Sequence, residues 1–457
     1  MRDAVLPGGG WWHLGLHCRA WRVAQQRKRP AGRHGVAQIL RGGCRPQRAS
    51  ATGGNVEAAP RIAMVAGETS GDMIAAPLIT ALRKRLPRAS FVGIGGPRMQ
   101  VAGMESWYPM ETLAVRGYAE AVRSVPQILA IRRELARRLL ASPPDLFVGV
   151  DAPDFNLGLE VRLRRAGIPV VHYVSPSLWA WRGERIHLVK RAVDKMLALF
   201  PFEQRIYEQA GIPVAYVGHP LADEIEPVPD REGAREQMRI KPEVPVIALL
   251  PGSRRGELEQ HAGLFVETAK LVAGQVPGVR FLVPLTSRAT RLQFEEAQYR
   301  HDARDLPLTI LFGHAQVAMG AADVVLVASG TATLETALLR RPMVITYRVP
   351  RLTWHLMWPR RRLPYVGLPN ILTGEFVVPE LLQDDATPAN LAQALVNALR
   401  DKFVRERQIR CFERIYRELR QGAAERAADA VLPVLEQRGE RNGRVPLSGA
   451  APEASRI

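Results

Sequence analysis

Three short segments of this sequence set a carboxylate or an arginine just after an apolar run, where a chain turns and side chains reach solvent. In Val150-Asp151-Ala152-Pro153-Asp154-Phe155-Asn156, Asp151 follows the run Leu146–Val150. A carboxylate so placed can accept a proton from a substrate hydroxyl. Pro153 is expected to keep Ala152 extended and so aim the loop. Asp151 is the candidate base and Asp154 the candidate structural acid, although two helix-capping aspartates would also account for the segment. In Leu250-Pro251-Gly252-Ser253-Arg254-Arg255-Gly256-Glu257, Arg254 has the planar fork that grips a diphosphate; a solvated charged turn is the plainer reading. In Ala328-Ser329-Gly330-Thr331-Ala332-Thr333-Leu334-Glu335, the amides and hydroxyls of Ser329, Gly330 and Thr331 could cradle a diphosphate at a helix start. Glu335, one turn in, could accept bonds from ribose hydroxyls. An N-cap followed by a first-turn acid would explain the same residues.

Four further segments could line a cleft. Ala66-Gly67-Glu68-Thr69-Ser70-Gly71-Asp72 follows one strand-like run, and Gly93-Ile94-Gly95-Gly96-Pro97-Arg98-Met99 follows the next. Gly67, Glu68, Ser70 and Gly71 are candidates for the acceptor side. The Gly-Lys-Ser/Thr ending of a nucleotide P-loop is absent, and an ordinary turn with Ser70 or Asp72 as helix cap remains open. The run from His172 to Arg182 carries Ser175, Trp179 and Trp181, and its flat rings suit sugar faces or acyl chains. His172, inside a strand, reads as a core histidine. The stretch Trp354, His355, Trp358, Arg360, Arg361, Arg362 and Tyr365, ending in Gly367-Leu368-Pro369-Asn370, mixes tryptophan and arginine as headgroup interfaces do. A partly buried helix with a basic face would do the same. The segment from Trp107 to Leu129, including Tyr118, is a candidate lid over acyl chains. The sequence has no His/Cys zinc spacing and no Asp-X-Asp, so no metal site is expected.

These segments are positioned by apolar runs alternating with amphipathic stretches, the pattern of an α/β fold with parallel sheets. The first half reads as strands at Ile62–Ala66, Phe91–Gly95, Leu146–Val150, Val170–Val174, Met196–Phe200 and Ala215–Gly218. A charged, proline-containing stretch, Ala222–Pro245, reads as a linker. The pattern restarts with Val246–Leu250, Arg280–Pro284, Thr309–Phe312, Val324–Val327 and Met343–Tyr347. Two tandem Rossmann-like domains, at 56–221 and 246–410, would hold a cleft at the carboxyl ends of their strands. A crossing helix is expected over 411–436 and a loose tail over 437–457.

The chain has 457 residues and a formal net charge of +18. Residues 1–55 hold ten of the basic residues against a single acid, Asp3, which is half of that charge. Their composition fits a transit peptide or a translated upstream region, and the folded body is expected from Val56. With half the charge there and no recognised binding motif, a nucleic-acid partner is not expected. Cys18, Cys44 and Cys411 suggest no disulfide framework, which suits a reducing cytoplasm. No apolar run reaches the ~20 residues of a membrane-spanning helix.

Taken together, AGETSGD, GIGGPRM, VDAPDFN, HYVSPSLWAWR, LPGSR, ASGTATLE and GLPN resemble, in order and across some 300 residues, the bacterial lipid-A-disaccharide synthase family. The resemblance implies a B-type glycosyltransferase fold whose final helices cross back, without a cofactor. It implies UDP-2,3-diacylglucosamine as donor and 2,3-diacylglucosamine 1-phosphate as acceptor, joined by a β-1,6 bond with inversion. It implies Asp151 as base and Arg254, Ser329, Gly330, Thr331, Glu335 and Asn370 on the nucleotide. It also implies a homodimer. Work at the cytoplasmic face of the inner membrane is expected, with Trp107, Tyr118, Trp354, Trp358 and Arg361, by their residue types, as acyl or membrane contacts. Another UDP-sugar transferase or epimerase of the same fold is the alternative.

Overall fold

A computed structural model describes residues 59–113, 118–180 and 183–441. Its first sheet is built from β1 (Arg61–Ala66), β2 (Ser90–Gly95), β3 (Met104–Pro109), β4 (Leu146–Val150), β5 (Val170–Tyr173), β6 (Lys195–Ala198) and β7 (Val214–Tyr216). The second comprises β8 (Val246–Leu250), β9 (Arg280–Leu285), β10 (Leu308–Phe312), β11 (Val324–Ala328), β12 (Met343–Tyr347) and β13 (Glu380–Leu382). All pairings are parallel, in the orders β3-β2-β1-β4-β5-β6-β7 and β10-β9-β8-β11-β12-β13. The central strands are buried along their whole length, which is why they read as unbroken apolar runs.

Each order reverses once, between β1 and β4 in the first sheet and between β8 and β11 in the second. Ala66 pairs with Val150 across the first reversal, and Val327 with Leu250 across the second. Loops diverge at such switch points and open a crevice beyond the strand ends. The loops that carry the candidate chemistry are the four that leave β1, β4, β8 and β11.

The apolar core has three parts. One packs the outer face of the first sheet, around Phe147, Leu135 and Leu163. A second packs the outer face of the second sheet, around Phe265, Phe281 and Leu391. The largest joins the remaining face of both sheets, through Ile62, Val148, Ala248 and Val325, with Phe412, Tyr416 and Val431 of the last two helices. Those helices, Lys402–Leu419 and Ala423–Arg441, cross back to the first sheet. Tyr216 Oη donates to Glu418 O at 2.5 Å, His219 N to Leu419 O at 2.9 Å, and Asp223 accepts from the amides of Gly422 and Ala423. Arg85 pairs with Glu425 and Asp429.

The structure corrects several expectations. The crossing element is two helices rather than one, and it begins before residue 411. The stretch Ala222–Pro245 is not a bare linker: it holds the helix Arg231–Gln237, anchored by Arg235. That guanidinium is buried and donates to the carbonyls of Lys241, Pro242, Val244 and Ala321 as well as to Asp323. Its charged composition hides this, because the charge is used inward. Strands β3 and β13 had no sequence signal, being only partly buried at a sheet edge, and β13 is also too short for a period.

Candidate active site

The loop after β4 is held in an unusual backbone state. Asp151 and Ala152 both have left-handed backbones, with φ of 54° and 43°. Such residues cost on the order of 1–3 kcal/mol each and persist where neighbours enforce them. Ala152 is therefore not extended. Pro153 disfavours the right-handed helical region for the residue before it, and the left-handed one is taken instead. The enforcing neighbour is Asn156, fully buried, whose Nδ2 donates to Asp151 O at 2.9 Å, Val65 O at 3.2 Å and Val150 O at 3.4 Å. Asp151 N donates in turn to Tyr173 O at 2.9 Å.

The Asp151 carboxylate is half-buried and accepts from Ser70 Oγ at 3.0 Å. Ser70 is therefore not a helix cap. Neither is Asp72, which is buried and accepts from Arg98 N and Met99 N at 3.0 and 2.9 Å, tying GIGGPRM to the helix Thr69–Arg85. Gly67 is needed for the close approach of the two loops: a Cβ there would stand 2.6 Å from Ala152 Cβ. At Gly71 a Cβ would come within 3.2 Å of Ala66 Cβ.

Behind Asp151, His172 and Glu160 form a fully buried pair, Nδ1 to Oε1 at 2.6 Å. Burial pulls the imidazole's pKa down, but Glu160, Asp151 and the Val174 backbone together outweigh it and the net direction is upward. Gly149 makes the room, since a Cβ there would lie 1.9 Å from Glu160 Oε1. His172 is thus a core histidine, as its place in a strand suggests.

Across the cleft, Arg254 reaches Glu68, with Nη2 to Oε2 at 3.5 Å. The turn that carries Arg254 is braced from within. Glu257 accepts from Ser253 N at 2.8 Å and Arg254 N at 3.1 Å. His261, fully buried, accepts from Arg348 N at Nε2 (2.9 Å), which fixes the proton on Nδ1, and this donates to Pro251 O at 3.1 Å. Burial lowers its pKa to about 4, so the ring is neutral. Glu257, His261 and Asn156 position the site and were missed in the sequence. Only the Glu three residues after Arg254 carried a readable signal, that of a capping acid.

Beyond β11, Ser329 Oγ donates to Val366 O, and Gly330 opens the helix Thr331–Leu338 without a side-chain cap among the described residues. Thr333 N bonds Gly330 O, and at this helix start the helix dipole favours an anion. Glu335 is half-buried; burial raises its pKa, a hydrogen bond from Gln316 opposes this, and Glu224 adds to it. Asn370 is corrected. It is fully buried, donates to Val378 O and Glu380 Oε1, and accepts from Val377 N and Val378 N, so all its capacity serves its own loop.

Ser175 and Trp179, both half-buried, bond to buried partners: Ser175 Oγ is 2.6 Å from Tyr207 Oη, and Trp179 Nε1 donates to Glu203 at 3.0 Å. Trp181 and Arg182 lie outside the described residues. The segment reaches the basic stretch, since Arg362 N donates to Ala180 O at 3.1 Å. There Trp354 stacks on Trp358 at 4.0 Å, and Arg361 covers the Trp358 ring at 3.6 Å. Trp107 does not fit a lid. It lies in β3 with Arg138 over its ring at 3.8 Å and its Nε1 on Glu105. The side chain of Tyr118 lies outside the described residues. Among the described residues, no His, Cys, Asp and Glu cluster of three or more could hold a metal ion.

Paired switch points around one cleft, with a carboxylate on one side and an arginine and an open helix start on the other, define a nucleotide-sugar-dependent enzyme of the two-domain B-type glycosyltransferase class. Two solved structures share the fold: a UDP-GlcNAc 2-epimerase from Neisseria meningitidis bound to UDP-GlcNAc (TM-score 0.57, 12% identity, 82% of this chain and 100% of that one) and the calicheamicin glycosyltransferase CalG4 (0.54, 17%, 82% and 98%). The family model described as lipid-A-disaccharide synthetase matches residues 62–434. Lipid-A-disaccharide synthases of Dechloromonas aromatica and Chromobacterium violaceum are each 55% identical, over 82% of this chain and 99% and 97% of their own lengths. The chain belongs to the lipid-A-disaccharide synthetase family.

Proposed function

We propose that the enzyme transfers 2,3-diacylglucosamine from UDP-2,3-diacylglucosamine to the 6-hydroxyl of 2,3-diacylglucosamine 1-phosphate. Asp151 takes the proton of that hydroxyl. The oxygen attacks the anomeric carbon from the face opposite UDP, the bond to the diphosphate breaks, and UDP leaves with the bonding electrons. The product is a β-1,6-linked disaccharide 1-phosphate with inverted configuration. Arg254 and the first amides after Ser329 meet the charge that grows on the leaving diphosphate, as preorganised donors do. Glu335 takes the ribose hydroxyls.

The observation that carries this reading is the short path across the cleft: Arg254 bonds Glu68, and two residues on, Ser70 bonds Asp151. Base and diphosphate clamp are thereby linked through the side chains of Glu68 and Ser70 and the backbone between them.

No helix among the described residues is long and apolar enough to cross a membrane. In our reading the enzyme lies on the cytoplasmic face of the inner membrane, with the Trp354, Trp358 and Arg361 stack toward the headgroups, and works as a homodimer. Residues 56–221 form the acceptor domain and 246–410 the donor domain.

The test supplies both acylated substrates to the purified chain in detergent, with chelator. Disaccharide phosphate that Asp151→Ala abolishes is the expected result. UDP release without disaccharide would reject the acceptor and point to another sugar-nucleotide reaction.

A further inference from the structure

A second cavity, of about 500 Å³, lies at the other end of the second sheet. Its walls come from the segment before β8 (Pro242–Pro245), from Asp323 before β11, from Arg340–Pro342 before β12, and from the helix ends around Arg400 and Arg405. Ser329 and Pro251 leave the opposite ends of the same strands. At ~3.3 Å per residue, six steps along β11 put roughly 20 Å between this cavity and the nucleotide cleft.

Five arginines line it, Arg231, Arg340, Arg341, Arg400 and Arg405, against two acids, Glu243 and Asp323. Four of the five have partners in the chain. Arg231 pairs with Asp323 at 2.5 Å, although Asp323 also serves Arg235. Arg340 donates to the carbonyls of Glu226, Pro227 and Leu338; Arg400 donates to Gln275 O and Arg405 to Leu399 O. Arg341 differs. Its Nε is buried without a hydrogen-bond partner, and its guanidinium makes no ion pair among the described residues. Burial, followed by repulsion from Arg231, lowers its pKa to about 10, so it still carries its charge at neutral pH.

A desolvated cation costs several kcal/mol unless something pairs with it. Protein acids supply that pairing only in part: Asp323 attracts Arg341 but makes its ion pairs with Arg231 and Arg235. A guanidinium fork matches two oxygens of a phosphate. The cavity volume is that of a small-molecule site rather than a protein interface.

We propose that this cavity is a second anion site, separate from the nucleotide cleft, that takes the phosphate group of a small ligand on Arg341. The phosphate can belong to a soluble metabolite or to a lipid headgroup, since both present the same oxygens to the fork.

The experiment uses the full chain with saturating UDP, so that the nucleotide cleft is filled. Inorganic phosphate and glycerol phosphate are titrated by calorimetry and thermal shift, and vesicles with and without phosphatidic acid are tested by flotation. The expected result is one saturable phosphate site beside bound UDP, weakened about tenfold or more in Arg341→Gln, as loss of a charged hydrogen bond implies. Arg341→Lys, which keeps the charge but not the fork, falls between. In phosphate-free buffer Arg341→Gln melts no lower than the parent, because a half-buried charge without an ion pair among the described residues has been removed, and its melting point no longer rises with phosphate. Flotation that needs both phosphatidic acid and Arg341 assigns the phosphate to lipid; Arg341-dependent binding of glycerol phosphate alone assigns it to a soluble ligand. Absence of binding in every arm, or binding unchanged in both variants, overturns the site.

Discussion

Ser70 Oγ donates to Asp151 Oδ2 at 3.0 Å, joining the loops that leave the two strands on either side of the first sheet's reversal. The bond fixes one carboxylate oxygen and leaves the other to a substrate. Asp151→Asn is therefore expected to lower kcat by about 10²–10⁴, the usual worth of a general base. Ser70→Ala should lower it by about tenfold or less, since the carboxylate remains but its orientation loosens. Donor KM should change little in either variant. Single-turnover and steady-state rates on the same preparations check both.

Asn156 holds three backbone carbonyls around a left-handed turn. Asn156→Ala removes the donor from all three in a fully buried place. A loss of stability of about 2–3 kcal/mol is expected from buried groups left unpaired, together with a fall in kcat, because the Asp151 backbone can then relax. Urea denaturation and kcat measured together separate this from a pure stability defect. Ser70→Ala, by contrast, should move the rate alone.

The Arg254–Glu68 contact is exposed on both sides. Its stability coupling in a double-mutant cycle should be below about 1 kcal/mol. Arg254→Ala should nonetheless raise donor KM and lower kcat/KM by about tenfold or more, the worth of a charged hydrogen bond to a diphosphate. Calorimetry with UDP checks the binding part. A large stability loss with unchanged UDP affinity would move Arg254 out of the site.

His261 is neutral and ties Pro251 to Arg348, and burial lowers its pKa from the ordinary 6.5 to about 4. A histidine depressed in this way binds fewer protons folded than unfolded. Its stabilising contribution is present above pH 6.5 and is lost as pH falls toward 4. His261→Phe, which still packs between Phe265 and Tyr347, should flatten the stability profile in that window and raise donor KM. Denaturation midpoints from pH 8 to pH 4 provide the comparison.

Glu203 titrates in the opposite sense. Burial raises its pKa from 4.5 to about 7, partly offset by hydrogen bonds from Phe200 and Trp179. Folded protein then binds more protons than unfolded. The contribution is fully present below pH 4.5 and is lost as pH rises through about 7, amounting to up to about 3 kcal/mol. Glu203→Gln removes the charge but keeps only one acceptor oxygen, so one of the two donors, Trp179 Nε1 or Phe200 N, loses its bond. It should lose the pH dependence between 4.5 and 7, as thermal melts in matched buffers would show.

The local chemistry was legible in the sequence. Period and apolar runs are properties of a few adjacent residues, so the strands β1, β2, β4, β5, β8, β9, β11 and β12, the tandem α/β halves and the loops carrying Asp151, Arg254 and Ser329 could all be read from neighbours. The motifs together also carried the family. What could not be read was who bonds whom at a distance. Ser70 read as a cleft residue or a helix cap, and its partner is Asp151, 81 residues away. Asn370 looked like a ligand contact, and its own loop uses every bond it can make. Arg235 and Arg341 both stand in charged stretches; one is satisfied by backbone carbonyls and Asp323, and the other's buried Nε has no hydrogen-bond partner among the described residues. A side chain's type states what it can bond. Its partner is decided when parallel strands bring residues from distant parts of the chain to one sheet end, and that is a property of the tertiary structure alone.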